Sequence, residues 1–145
     1  MIEEKRVGQH VVRFVEDERV EIEFHGDLDW EDGGALFRET DQILLSEGRV
    51  YVLCDVTDLG RLTRGARRNV RDRPKTGVQR FLAYVGAGFG TRVMIDLVDR
   101  ASKLLGQEQV TYRFFDGHEE ARAWLVEMRR AHARETRAEE RTAMR

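Results

Sequence analysis

Residues Arg49 to Val56 read RVYVLCDV. Apart from Arg49 and Asp55 the run is apolar, and valine recurs through it. An antiparallel strand with one wet face alternates apolar and polar side chains. A run without that alternation suits a strand covered on both faces, as in a parallel sheet packed between helices.

Upstream, residues 27–32 read DLDWED, where Asp29 suits a helix N-cap and Glu31 and Asp32 occupy the first turn favoured for negative charge. Leu36, Phe37, Ile43 and Leu44 then recur at helical spacing until Gly48 closes the helix. Further back, His10–Glu16 (HVVRFVE) and Val20–Phe24 (VEIEF) are β-branched and aromatic, with a polar turn between them. They read as a β-hairpin, and Gly26 breaks the pattern. Downstream of Val56 a loop leads to Thr63, which caps a short helix from Arg64 to about Asp72, ended by Pro74 and Gly77. Gln79–Val85 is a further strand. From Thr91 to Leu105 one apolar stripe runs through Met94, Leu97, Val98, Ala101, Leu104 and Leu105. Val110–Phe115 is the last strand, and the last helix starts at Asp116 or His118 with Ala121, Trp124, Leu125 and Met128 inward.

The order β-β-α-β-α-β-α-β-α predicts one α/β domain over residues 1–128. It opens on a β-hairpin and continues as a mostly parallel sheet of about five strands with four helices, joined by right-handed crossovers. Residues 129–145 are almost all Arg, Glu, Ala and Thr, and read as a charged helical extension or tail.

The totals fit such a domain. The chain has 145 residues, 41% hydrophobic and 36% charged, in periodic blocks rather than disordered tracts. A net charge of −2 argues against nucleic acid as a partner. A single cysteine, Cys54, excludes an internal disulfide. Neither an apolar leader nor a run near the roughly 20 residues of a membrane span appears. A cytoplasmic protein without a membrane span is the expectation.

Few constellations carry chemistry. After Val85 come Gly86, Gly88, Phe89, Gly90 and Thr91, a loop that invites comparison with the G-x-G-x-x-G nucleotide fingerprint. Its third glycine position falls on Thr91, it follows the fourth strand rather than the first, and no Walker lysine is present. A strand-to-helix turn needing positive φ explains it, although backbone N–H groups there can also hold an anion. The four histidines are scattered, and no metal or cofactor site is expected. Cys54 inside its apolar run reads as a buried thiol of raised pKa. Asp27, Asp29, Glu31 and Asp32 are accounted for by capping.

Residues 61–75 (RLTRGARRNVRDRPK) are harder to dismiss. Arg64, Arg67, Arg68 and Arg71 share one side of a helix, leaving Ala66 and Val70 toward the sheet. With Arg61 and Thr63 they form either a solvated face or a surface for an acidic partner, a lipid headgroup or a phosphate.

The element order resembles the SpoIIAA-like branch of the STAS superfamily, named for sulfate transporters and anti-sigma-factor antagonists. So do RVYVLCDVTDL (Arg49–Leu59), the basic helix after it, RFLAYVG (Arg80–Gly86) and RFFDGHEEARAWL (Arg113–Leu125). The likeness covers about Val11 to Met128. It implies a compact α/β domain and, in the antagonists, a serine at the start of the helix after the central strand that a partner kinase phosphorylates. Here Thr63 and Arg64 stand where that Asp-Ser pair would be, so the serine is missing. The branch is also likened to lipid-binding SEC14 domains, which implies a pocket that Phe89, Met94 and Val98 would line. The leading expectation is a non-enzymatic module that docks a regulatory kinase or other signalling protein through the basic helix. A carrier of a lipid or small hydrophobic ligand is the alternative, and a nucleotide-dependent enzyme using the glycine loop the remote one.

Overall fold

The computed structural model describes residues 3–16, 19–71, 79–104 and 109–144. Six strands form one sheet in sequential order: β1 (Glu3–Val7), β2 (His10–Glu16), β3 (Arg19–Leu28), β4 (Arg49–Leu62), β5 (Gln79–Val85) and β6 (Gln109–Phe115). The first two pairings are antiparallel, and the three from β3 to β6 are parallel. Helices α1 (Trp30–Glu47), α2 (Arg64–Arg71) and α3 (Phe89–Leu104) are the three crossovers, and α4 (His118–Ala143) follows the last strand.

β4 lies in the middle and confirms what its sequence requires. Val50, Val52, Cys54 and Val56 are buried in one core cluster, with Leu36 of α1 and Ala66 of α2. Tyr51 and Leu53 are buried in a second cluster with Phe81, Ala83 and Val85 of β5 and Ala121 and Leu125 of α4. Three crossovers that all advance in one direction, each right-handed, put α1, α2 and α3 on the same face of the sheet. The opposite face is left to α4, whose inward residues are those the sequence predicts.

Three expectations need correction. The sheet has six strands rather than about five. β1 reads EEKRV, an exposed edge segment whose charges blunt the edge and leave no apolar alternation to detect. It joins β2 through a turn at Gly8, where φ is +60°. Next, β4 does not give way to a loop after Val56. Asp58, Leu59 and Leu62 pair with His25, Gly26 and Leu28, since register shifts on either side of Gly26 (φ +73°) let β3 run past the glycine. Finally, the stripe predicted for α3 splits. The helix starts at Phe89, with Met94 and Val98 turned to the interior, whereas Leu97 is 59% and Leu104 is 88% exposed. Periodicity identifies an apolar face, but it does not say whether a sheet or solvent lies against it.

The caps behave as read. Asp29 Oδ1 accepts from the Asp32 N–H at 2.8 Å, Gly48 ends α1 at φ +77°, and Thr63 Oγ1 accepts from the Ala66 N–H at 3.2 Å. Asp27 has another task, accepting from the Arg61 N–H at 2.6 Å across the β3–β4 ends. α4 runs unbroken past Met128, and His132 still docks: its Nδ1 lies 2.8 Å from the Tyr51 hydroxyl and its ring 4.7 Å from that of Phe81. Residues 133–144 are exposed. Pro74, Gly77 and Leu105, and the side chains of Leu44 and Val70, fall outside the described residues. No described helix is long and apolar enough to cross a membrane.

Candidate functional site

α2 is anchored at its start. The Thr63 N–H donates to the Leu28 carbonyl at 3.0 Å, and Ala66 is buried against the sheet. Gly65 allows a close approach, because a Cβ there would lie 3.0 Å from the Trp30 Cβ. With that side committed, Arg64, Arg67 and Arg68 face outward, exposed and without an ion pair among the described residues. The side chain of Arg71 falls outside the described residues. Arg61 is exposed at the end of β4, outside the groove described next.

α3 lies beside α2, and a groove of about 610 Å³ runs between them. Its α2 wall carries Arg64, Arg67 and Arg68, and its α3 wall carries Val93, Leu97 and Gly90. Among the described residues, no acidic side chain lines it. The surface is therefore cationic along one side and apolar along the other.

The glycine loop divides. Gly86 has φ +79°, and a Cβ there would fall 2.1 Å from Thr57 Oγ1, so this position admits glycine alone without rearrangement. Its N–H donates to the Phe115 carbonyl at 3.2 Å, which pins the turn to β6. Added Cβ atoms at Gly88 or Gly90 would meet nothing within 4 Å. The Arg92 side chain folds back over the loop, donating from Nε to the Ala87 carbonyl at 3.1 Å and lying above the Phe114 ring. Phe89 is 86% exposed and lines neither the groove nor the interior, contrary to the expectation that it joins Met94 and Val98 around a ligand. Thr91, the next residue, is half-buried at the start of α3.

A second space lies deeper in the fold. Between the sheet and the three crossover helices lies a cavity of about 180 Å³ with mainly apolar walls, including Ile22, Leu36, Leu82, Met94, Val98 and Tyr84. Met94 and Val98 line both this cavity and the outer groove, so their side chains separate the two. Cys54 also faces it, and burial pushes its thiol up to about 12, which leaves it unreactive. Arg80 sits at the wall, 4% exposed, with Nη1 donating to Thr40 Oγ1 at 2.8 Å, Nη2 paired with Asp41, and the guanidinium over Phe37. The sequence signal for it was a cation inside an otherwise apolar strand.

On the opposite face, the Asp55 and His118 side chains meet at 2.7 Å, joining the C-terminal part of β4 to the first residue of α4. Burial acts to raise the Asp55 carboxyl, but hydrogen bonds from Thr57 and His118 outweigh it and hold the group below the usual range. Glu21 likewise receives two hydrogen bonds from Arg122, at 2.8 and 2.9 Å. Both contacts orient α4 on the sheet.

No family model matches the chain, and no curated protein matches it. A solved structure from Shewanella loihica PV-4, described as an uncharacterized protein of the DUF3478 family with a SpoIIAA-like fold, is similar over 86% of this chain and 92% of its own. The two are 18% identical, with a TM-score of 0.48.

Proposed function

We propose that the chain is a non-enzymatic docking module whose α2–α3 groove receives an acidic segment of a partner protein. The observation that carries this is the pairing of three exposed arginines, without ion pairs among the described residues, with an unburied apolar wall at Val93 and Leu97. Rim cations steer an acidic partner and set its register, while the apolar wall supplies the contact area. A concave slot between two helices fits a rod better than a flat surface, so the complementary shape is an amphipathic helix with acidic flanks. The family resemblance points to a regulatory kinase or other signalling protein as its source. Thr63, which stands near the modified serine of that family, already spends its hydroxyl on the α2 N-terminus.

The test is quantitative. A partner isolated on the wild-type protein is purified and its dissociation constant measured by calorimetry at two salt concentrations. The triple variant Arg64→Glu, Arg67→Glu, Arg68→Glu is expected to weaken binding roughly a hundredfold or more, since like charges across a rim repel. Equal affinity for the two proteins, with no salt dependence, would remove this surface from consideration.

The interior cavity favours a second reading, that of a protein holding a hydrophobic ligand. Met94 and Val98 stand in its wall as that reading requires.

A further inference from the structure

Protein interiors pack about as densely as organic crystals, and voids much larger than a water molecule are few. The space under α1–α3 is larger than that and is kept open by specific contacts. The Tyr112 hydroxyl of β6 donates to Asp96 of α3 at 2.5 Å, a strut between sheet and helix. Arg92, hooked on the Ala87 carbonyl and lying over Phe114, fixes the helix start. α3 therefore cannot settle onto the sheet without breaking both.

The polar groups around the cavity are nearly all engaged. Arg80 is held by Thr40 and Asp41, Tyr112 by Asp96, and Asp99 pairs with Lys103 at 2.8 Å. Tyr84 is different. It lines the cavity with its ring edge-on to Tyr112 and against Phe114, and its hydroxyl has no hydrogen-bond partner among the described residues. Burial pushes that phenol well above its usual value, so it remains an O–H donor. The hydroxyl is not sealed in the core, so a molecule in the cavity can reach it.

We infer that this cavity binds a small apolar molecule carrying one hydrogen-bonding group, and that the Tyr84 hydroxyl anchors that group. The inference rests on the ligand reading above and names its chemistry. An apolar cavity of about 150 Å³ stays dry and takes up benzene, so the 180 Å³ here suits a single aromatic ring or a short alkyl chain. A two-chain lipid does not fit. Entry from the groove needs only a swing of Met94, an unbranched and flexible side chain shared by both spaces.

Phenol and toluene, nearly equal in shape, separate the roles of cavity and anchor. Dissociation constants for both are measured by calorimetry on the full chain, on Tyr84→Phe and on Val98→Phe. Wild type is expected to bind both, phenol more tightly. Tyr84→Phe should weaken phenol about tenfold, the loss of one buried hydrogen bond, and leave toluene within about twofold. Val98→Phe, by filling the space, should abolish both and raise the melting temperature. If that variant does not fold, the Tyr84→Phe comparison decides alone. Binding retained in a folded Val98→Phe overturns the inference, because the probes then sit elsewhere. Equal effects of Tyr84→Phe on the two probes sink the anchor while the ligand reading stands. No saturable binding of either probe to wild type sinks both.

Discussion

His10 is fully buried, and among the described residues its Nε2 is the one buried side-chain nitrogen or oxygen without a hydrogen bond. Its Nδ1 accepts from the His25 N–H at 3.1 Å, which places the ring proton on Nε2 of a neutral ring. The nearest carboxylate oxygen, on Asp32, is 3.8 Å away and too far for a bond. Burial lowers this imidazole below its ordinary value of 6.5, and the attraction of Asp32 only partly offsets it. His132 is lowered for the same first reason, helped by Arg49. A histidine whose folded value lies below its unfolded one binds more protons when unfolded, so stability rises with pH and is lost as pH falls through the unfolded value. The melting temperature is therefore expected to drop between about pH 7 and pH 5. His10→Gln, which keeps an acceptor for the His25 N–H, should flatten that slope. The carboxylates held low by their partners, Glu21, Glu23 and Asp55, lose their contribution in a more acidic window, below their ordinary values of 4.5 and 3.8. A wild-type profile that stays level between about pH 7 and pH 5 would contradict the account of His10.

α4 shows how an element can exceed its packing surface. At 26 residues it is about 39 Å long, against roughly 23 Å for a seven-residue strand of the sheet beneath it. Its apolar inward residues end at Met128, and His132 is the last side chain to reach the core. A chain ended after residue 133 loses, among the described residues, exposed ones only and should unfold at nearly the same denaturant concentration as the full chain. A chain ended after Met128 also loses the Tyr51 hydrogen bond and the ring contact with Phe81. It should be destabilised by about 1–3 kcal/mol. Equal stabilities of the two truncations would show that His132 contributes nothing. Gly117, at the N-cap, offers no side-chain hydrogen bond, and Glu119 and Glu120 complement the helix dipole instead.

Over the whole molecule the two faces of the sheet are unequal. α4 lies flat on Tyr51, Leu53, Phe81, Ala83 and Val85 in a filled layer. On the opposite face a cavity lies between the sheet and all three crossover helices, and among the described residues α1 gives Leu36 and α2 gives Ala66 to the buried apolar cluster while α3 gives none. Local opening follows packing, so α3 should be the less protected helix. Amide hydrogen exchange over residues 93–104 is expected to run at least about tenfold faster than over 121–128. The reverse order would mean that the strut from Tyr112 to Asp96 and the Arg92 hook hold α3 as firmly as a filled core would. The same looseness is what a groove and a cavity sharing one wall require, since Met94 must swing for anything to pass.

The amino-acid sequence alone determined the central parallel strand, because RVYVLCDV carries no wet face, and with it the α/β class and the positions of the crossover helices. It also determined the ends set by local chemistry: the Asp29 and Thr63 caps, the stop at Gly48 and the positive φ at Gly86. Tertiary structure alone decided that Glu3–Val7 is a sixth strand, that β3 and β4 pair beyond Gly26, and that Leu97 and Leu104 stay outside. The arginines of α2 were legible as charges, but the groove exists only because α3 lies alongside, and Tyr84 gained significance only from the empty space before it. Caps, turns and periods are settled within a few residues of chain. What stands against a face, or fails to, is settled by partners that the fold brings in, as Asp58 is brought to His25, and local spacing does not encode it.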